Sequence, residues 1–181
     1  MLAFDTDRSI LDFAMMSGAV DGVLDEESIK RCDIVLIAVY PAACIEYFTR
    51  MADYINKDTV VLDCCGTKRT VCEGCFPVAK AHGIAFAGGH PMAGTHNSGF
   101  KYARANLFHG APMVIVPPDF DDVLLFDHVK QLLQPAGFAR FSFTTAEAHD
   151  EMIAFTSQLA HVASNAYIKS PTAKTVSYTH L

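Results

Sequence analysis

One histidine in this sequence sits in an unusually framed loop. In GGHPMAGTHNSGF (residues 88–100), His90 stands between Gly89 and Pro91, and a second histidine, His96, follows. An imidazole titrates near neutral pH, so a ring that is both oriented and reachable suits a general base. Gly88 and Gly89 end an apolar run, Pro91 fixes the backbone after His90, and Gly94 and Gly99 permit turns. Three further stretches carry groups that bind or activate small molecules. Asp5 closes the apolar run MLAFD; an acid there either accepts hydrogen bonds from a nucleotide ribose or competes with Asp7 to cap the next helix. In VYPAACIEYF (39–48), the turn formed by Val39, Tyr40 and Pro41 lets backbone approach a ligand. In DCCGTKR (63–69), Thr67 and Lys68 place a hydroxyl and a cation at a helix start, where Thr67 is equally a cap.

These residues need a frame that brings them together. Apolar runs at 1–5, 33–39, 59–63, 84–89, 111–118 and 138–143 read as strands. Helical patterns at 7–18, 41–55, 67–83 (with a break at Pro77) and 121–137 lie between them. DIVLIAV (33–39) is apolar on both faces, as a central parallel strand would be. Repeated strand–helix–strand units imply an α/β fold, a Rossmann-like doubly wound parallel sheet, whose ligands lie beyond the carboxyl ends of the strands. All the candidates above fall at such ends. The texture changes near residue 144, so residues 1–144 are expected to form one domain and 145–181 to open a helical second one. On that long helical pattern Ser157, His161, Ser164 and Asn165 fall at i, i+4, i+7 and i+8, either a solvated side or the wall of a polar pocket. His149 falls on a different face from His161.

Composition excludes other classes. Of the 181 residues 51% are apolar and 19% charged, a globular balance, and a net charge of −6 with no basic stripe argues against nucleic acid. No apolar run approaches the roughly 18 residues a membrane span needs, and the N-terminus lacks a signal-peptide layout, so the cytoplasm is expected. Cys64, Cys65, Cys72 and Cys75 crowd together, but an adjacent pair chelates poorly, so reduced thiols without a metal are expected. No G-x-G-x-x-G occurs. A dinucleotide-binding domain built on Asp5 would carry that loop about 20 residues earlier, so either the chain is no dinucleotide binder or its first strand and phosphate loop are missing.

The stretch GGHPMAGTHNSGFKYARANLFHGAPMVIVPP, with FDTD, IAVYP, DCCGTKR, AHD and SQLAH in order around it, resembles the prephenate dehydrogenases, NAD-dependent enzymes of tyrosine biosynthesis. The resemblance runs to about Ser170. It implies oxidative decarboxylation of prephenate to 4-hydroxyphenylpyruvate, arogenate being the alternative substrate and a catalytically silent α/β module the alternative from another class. His90 would polarise the substrate 4-hydroxyl and Thr67 would hold the same oxygen. His161, with His96 and Ser157, would position the substrate. Asp5, Val39, Tyr40, Pro41 and Lys68 would bind NAD. The resemblance also implies a homodimer, and that this chain, a truncated part of its parent, has little activity alone. His96 stands where some members carry an acid.

Overall fold

The computed structural model describes residues 1–94 and 99–171. Two sheets form its frame. In the smaller, β1 (Leu2–Ala3) pairs in parallel with β2 (Gly22–Val23), joined through helix α1 (Arg8–Met16). Asp7 caps α1 by accepting from the Ser9 N–H at 2.9 Å, and Gly18, at φ +71°, lets the chain leave the helix. Both follow from local chemistry, since a short acid satisfies an orphan donor and a glycine enters the left-handed region without cost.

The larger sheet runs β3 (Ile34–Ile37), β4 (Val60–Asp63), β5 (Ala85–Pro91), β6 (Pro112–Val116), β7 (Arg140–Phe143). Helices α2 (Pro41–Met51), α3 (Arg69–His82) and α4 (Val123–Leu133) connect its strands. After β7 come α5 (Ala146–Ile153), a π turn (Ala154–Gln158) and α6 (Leu159–Lys169). Every residue of β4 is buried. One face of the sheet packs Val61 and Phe86 against Phe48 of α2 and Val71 and Cys75 of α3. The other packs Val60, Leu62 and Ile115 against Leu125, Val129 and Leu133 of α4. A strand covered on both faces reads as a continuous apolar run, which is why VVL was legible as one.

Three expectations change. The sheet is parallel at β3–β4, β4–β5 and β6–β7, but β6 runs antiparallel to β5. The stretch between those two strands contains no crossover helix among the described residues, only a 3₁₀ turn at Phe100–Tyr102, and an antiparallel neighbour needs none. The strand at 33–39 is not central within its sheet; β3 is an end strand, with Leu36 half exposed. Between it and β1 lies a cleft of about 970 Å³, walled by Leu2–Thr6 on one side and Ile34–Val39 on the other. Helix α3 also continues through Pro77 rather than breaking there. Its buried face of Val71, Cys72, Cys75 and Ala79 holds the helix together across the lost donor.

The glycine pair before His90 has a packing role. Gly88 and Gly89 are buried within β5, and neither has positive φ. A Cβ on Gly89 would lie 2.4 Å from the Asp63 carbonyl oxygen and 2.9 Å from Met113 Cε. The residue is glycine because backbone passes there, not because the chain turns. Gly89→Ala is expected to destabilise the fold by roughly 1–3 kcal/mol, the usual cost of overpacking a core, read as a lowered urea midpoint with an unchanged slope.

Candidate active site

The carboxyl ends of β4 and β5 meet at one buried ion pair. Asp63 ends β4, and its carboxylate accepts from the Cys65 N–H at 2.9 Å, from the Gly89 N–H at 3.2 Å and from the Lys68 ammonium. Lys68 also donates to the Gly89 carbonyl at 2.6 Å. Both side chains are fully buried. Lys68, expected to reach a cofactor, is therefore committed to the protein interior. An unpaired ammonium could not be buried there, so its partners explain its position. The nearby thiols stay protonated: burial first, then the Asp63 charge, pushes Cys64 and Cys72 up to about 12.

The next residue after Gly89 is His90, partly buried. Its Nδ1 lies 2.8 Å from Nε2 of His149, and His149 Nδ1 lies 2.7 Å from Asp150 Oδ1. Asp150 in turn accepts from the backbone N–H groups of Lys68 at 2.7 Å and Arg69 at 3.0 Å. It thus caps α3 from the far end of the chain. Burial works to raise the Asp150 pKa, but those N–H groups and the His149 ring outweigh it and hold the carboxyl below its usual range. Burial, then the His149 and Lys68 charges, pushes His90 down to about 4, with Asp150 opposing. Sequence spacing missed His149 and Asp150 as site residues. The AHD signal was visible, but only the return of α5 against α3 carries it to His90.

His90 opens onto a pocket of about 310 Å³ shared with Gly66, Pro91, Met92, Ala93, Gly94, Ile153, Ser157 and Gln158. Ser157, expected at the substrate, is there. Thr67 is not: it is exposed, and its neighbour Gly66 takes the lining position because the turn after β4 sends Thr67 outward. His161 is likewise exposed on α6 and absent from the lining. The π turn at Ala154–Gln158 interrupts the regular 3.6-residue spacing on which the expected Ser157–His161 stripe depended. His96 lies outside the described residues. Asp5 and Val39 share the larger cleft; Asp5 follows β1 and accepts from the Asp7 N–H at 2.8 Å. Tyr40, highly exposed, and Pro41 begin α2. Among the described residues no three His, Cys, Asp or Glu side chains converge as a metal site, and no helix is long and apolar enough to cross a membrane.

A predominantly parallel sheet with helices packed on both faces places the chain in the Rossmann-like α/β class. Within that class the chain belongs to the prephenate dehydrogenase family, whose nucleotide-binding domain matches residues 2–141. It is 27% identical over 161 residues to the cyclohexadienyl dehydrogenase of Zymomonas mobilis, covering 88% of this chain and 54% of that protein. It is 26% identical over 163 residues to the prephenate dehydrogenase of Lactococcus lactis, covering 89% and 44%. The chain thus spans about half the length of these curated relatives. The fold is shared with the prephenate dehydrogenase of Aquifex aeolicus in complex with hydroxyphenyl propionate and NAD⁺, at a TM-score of 0.77 and 24% identity, over 91% of this chain and 57% of that one. It is shared too with Synechocystis arogenate dehydrogenase, at 0.75 and 23%, over 93% and 61%.

Two outcomes test this site. Lys68→Met leaves Asp63 buried without its cation and is expected to cost about 3–5 kcal/mol in urea unfolding, the usual loss on breaking a buried pair. The His90 pKa is depressed from 6.5 to about 4 in the fold, so the unfolded chain takes up its proton first. Stability from this group is complete above 6.5 and is lost as the pH falls from 6.5 towards 4. Urea midpoints across that range should fall, and less steeply in His90→Asn.

Proposed function

We propose that the protein carrying this chain is an NAD-dependent prephenate dehydrogenase, which oxidises and decarboxylates prephenate to 4-hydroxyphenylpyruvate. The observation that carries the reading is His90, held at the wall of the small pocket by a buried hydrogen-bonded network. The family match and the names of the relatives support the substrate and the cofactor. The residues present fit the adenosine end of NAD: an exposed carboxylate, Asp5, adjoins the apolar wall of Ile34–Val39 in the larger cleft. A carboxylate there would accept from ribose hydroxyls, with adenine against the apolar wall. Val39 and the backbone of Tyr40 and Pro41 would border it. Bound there, the cofactor supplies a hydride acceptor.

The chain's own residues do the rest. His90 accepts the hydrogen bond, then the proton, of the substrate 4-hydroxyl as that oxygen becomes a carbonyl. Ser157, across the pocket, orients the substrate by hydrogen bonding. Pro91 and Ile153 give an apolar wall to the ring. As the carbon–carbon bond to the ring carboxylate breaks, its electrons pass through the ring to the C4 oxygen, completing aromaticity, and that oxygen takes its proton back from His90 to leave the phenol. Residues from 145 onward serve in this reading as the start of a helical substrate and dimer domain. The apolar side chains exposed on α6, among them Leu159, Val162 and Ile168, support a homodimer. Cytoplasmic residence, with no nucleic-acid partner, belongs to the same reading.

NADH formation from prephenate, followed by absorbance beside an arogenate control, tests it directly. In the active protein His90→Asn should lower kcat by roughly 10²–10⁴, the usual worth of a positioned acid–base group. NAD affinity, read by fluorescence titration, should stay unchanged. Weakened NAD binding with normal turnover would remove His90 from this role.

A further inference from the structure

We propose that His149 and Asp150 form with His90 a proton relay, in which Asp150 sets the tautomer of His149, His149 sets that of His90, and the proton taken up at His90 Nε2 displaces one from Nδ1 to His149. The proposal rests on the dehydrogenase reading of the pocket for its chemistry, but its geometry stands apart from it.

The hydrogen-bond pattern fixes the direction. Asp150 accepts from two backbone N–H groups and lies 2.7 Å from His149 Nδ1. An ionised carboxylate only accepts, so His149 Nδ1 carries hydrogen. In the neutral ring Nε2 is then a lone pair, and it faces His90 Nδ1 at 2.8 Å. Two lone pairs do not share such a contact, so His90 Nδ1 is the N–H. That leaves His90 Nε2 as the basic nitrogen. His149 is buried, so water does not compete for these positions.

The same contacts say where the charge ends. The substrate O–H bond breaks and its proton joins His90 Nε2, while the oxygen's electron pair forms the carbonyl. The His90 Nδ1–H bond breaks and that proton joins His149 Nε2. At that stage His90 is neutral with hydrogen on Nε2 and His149 is imidazolium against the Asp150 carboxylate; decarboxylation then sends an electron pair to the C4 oxygen, which takes the Nε2 proton back as His149 returns its proton to His90 Nδ1. Charged and titratable groups around His90 come from three elements: Asp63 from β4, Lys68 from the start of α3, and His149 and Asp150 from α5. Burial and the Lys68 ammonium disfavour a cation on His90 itself, whereas His149 has a carboxylate beside it. His149 does not line the pocket, so it is a positioning residue acting through His90.

Long-range proton–nitrogen NMR of the unsubstituted chain at neutral pH reads the tautomers without turnover. The expected spectrum shows Nδ1–H and a pyridine-type Nε2 at His90; an Nε2–H tautomer overturns the relay. In the active protein, His149→Gln should lower kcat by roughly 10–100-fold, below the loss expected for removing the base itself, with KM for prephenate held. Removing the imidazole that takes up the charge should also move the acid limb of kcat/KM to lower pH. The solvent-isotope proton inventory should change from bowed to linear. A fall in kcat that moves neither the limb nor the inventory overturns the relay and leaves His149 a packing residue. Absence of prephenate turnover in the unsubstituted protein would sink the functional reading alone, and the tautomer would then decide the relay.

Discussion

An ammonium and a carboxylate shut away from water can persist only with every polar atom satisfied, and in this protein that requirement organises everything around it. Asp63 gathers Lys68, the Cys65 N–H and the Gly89 N–H, while Lys68 returns to the Gly89 carbonyl. The end of β4, the end of β5 and the start of α3 are thereby held in one geometry. His90 is the next residue along β5, so its backbone position is inherited from that pair. Satisfying a buried charge is costly to undo, which makes the anchor rigid. It also demands a glycine at 89, because the Asp63 carbonyl occupies the space a side chain would need.

The second constraint comes from the far end of the chain. Helix α5 delivers Asp150 to the helix-start N–H groups of Lys68 and Arg69, so one carboxylate caps a helix more than eighty residues away in sequence and orients a histidine. A negative group suits a helix N-terminus, where unpaired donors and the helix dipole both favour it. The ring beside it then reaches His90. Anchor and cap together make His90 a neutral, directed imidazole instead of a solvent-exposed one.

Where sequence reading succeeded, the signal was local. Asp7 as a cap, Pro41 in a first turn and the buried run of β4 are each decided by a few neighbouring residues. The stretch around His90 was legible as a site because a strand end and ring chemistry coincide there, although the structure carries β5 through His90 to Pro91. Gly88 and Gly89 were legible as the end of an apolar run, but not the reason for them: they answer to crowding across the sheet, which no local pattern displays. Thr67 and Gly66 differ by one position, and only the path of the turn after β4 decides which of them meets the pocket. The Ser157–His161 stripe assumed an unbroken helical period that the π turn interrupts.

The sequence by itself determined the α/β succession, the cap of α1, the family resemblance and the candidacy of His90, because hydrophobic period, turn residues and motif order are written in neighbouring positions. The tertiary structure decided the reversed strand β6, the withdrawal of Lys68 from the surface, and the meeting of His90, His149 and Asp150. Those outcomes depend on which buried polar groups must find one another across the fold. Asp63 lies five residues from Lys68 and Asp150 beside His149, but the contacts that join these pairs to Gly89, to His90 and to the start of α3 span 21 to 82 residues, beyond the reach of any local periodicity.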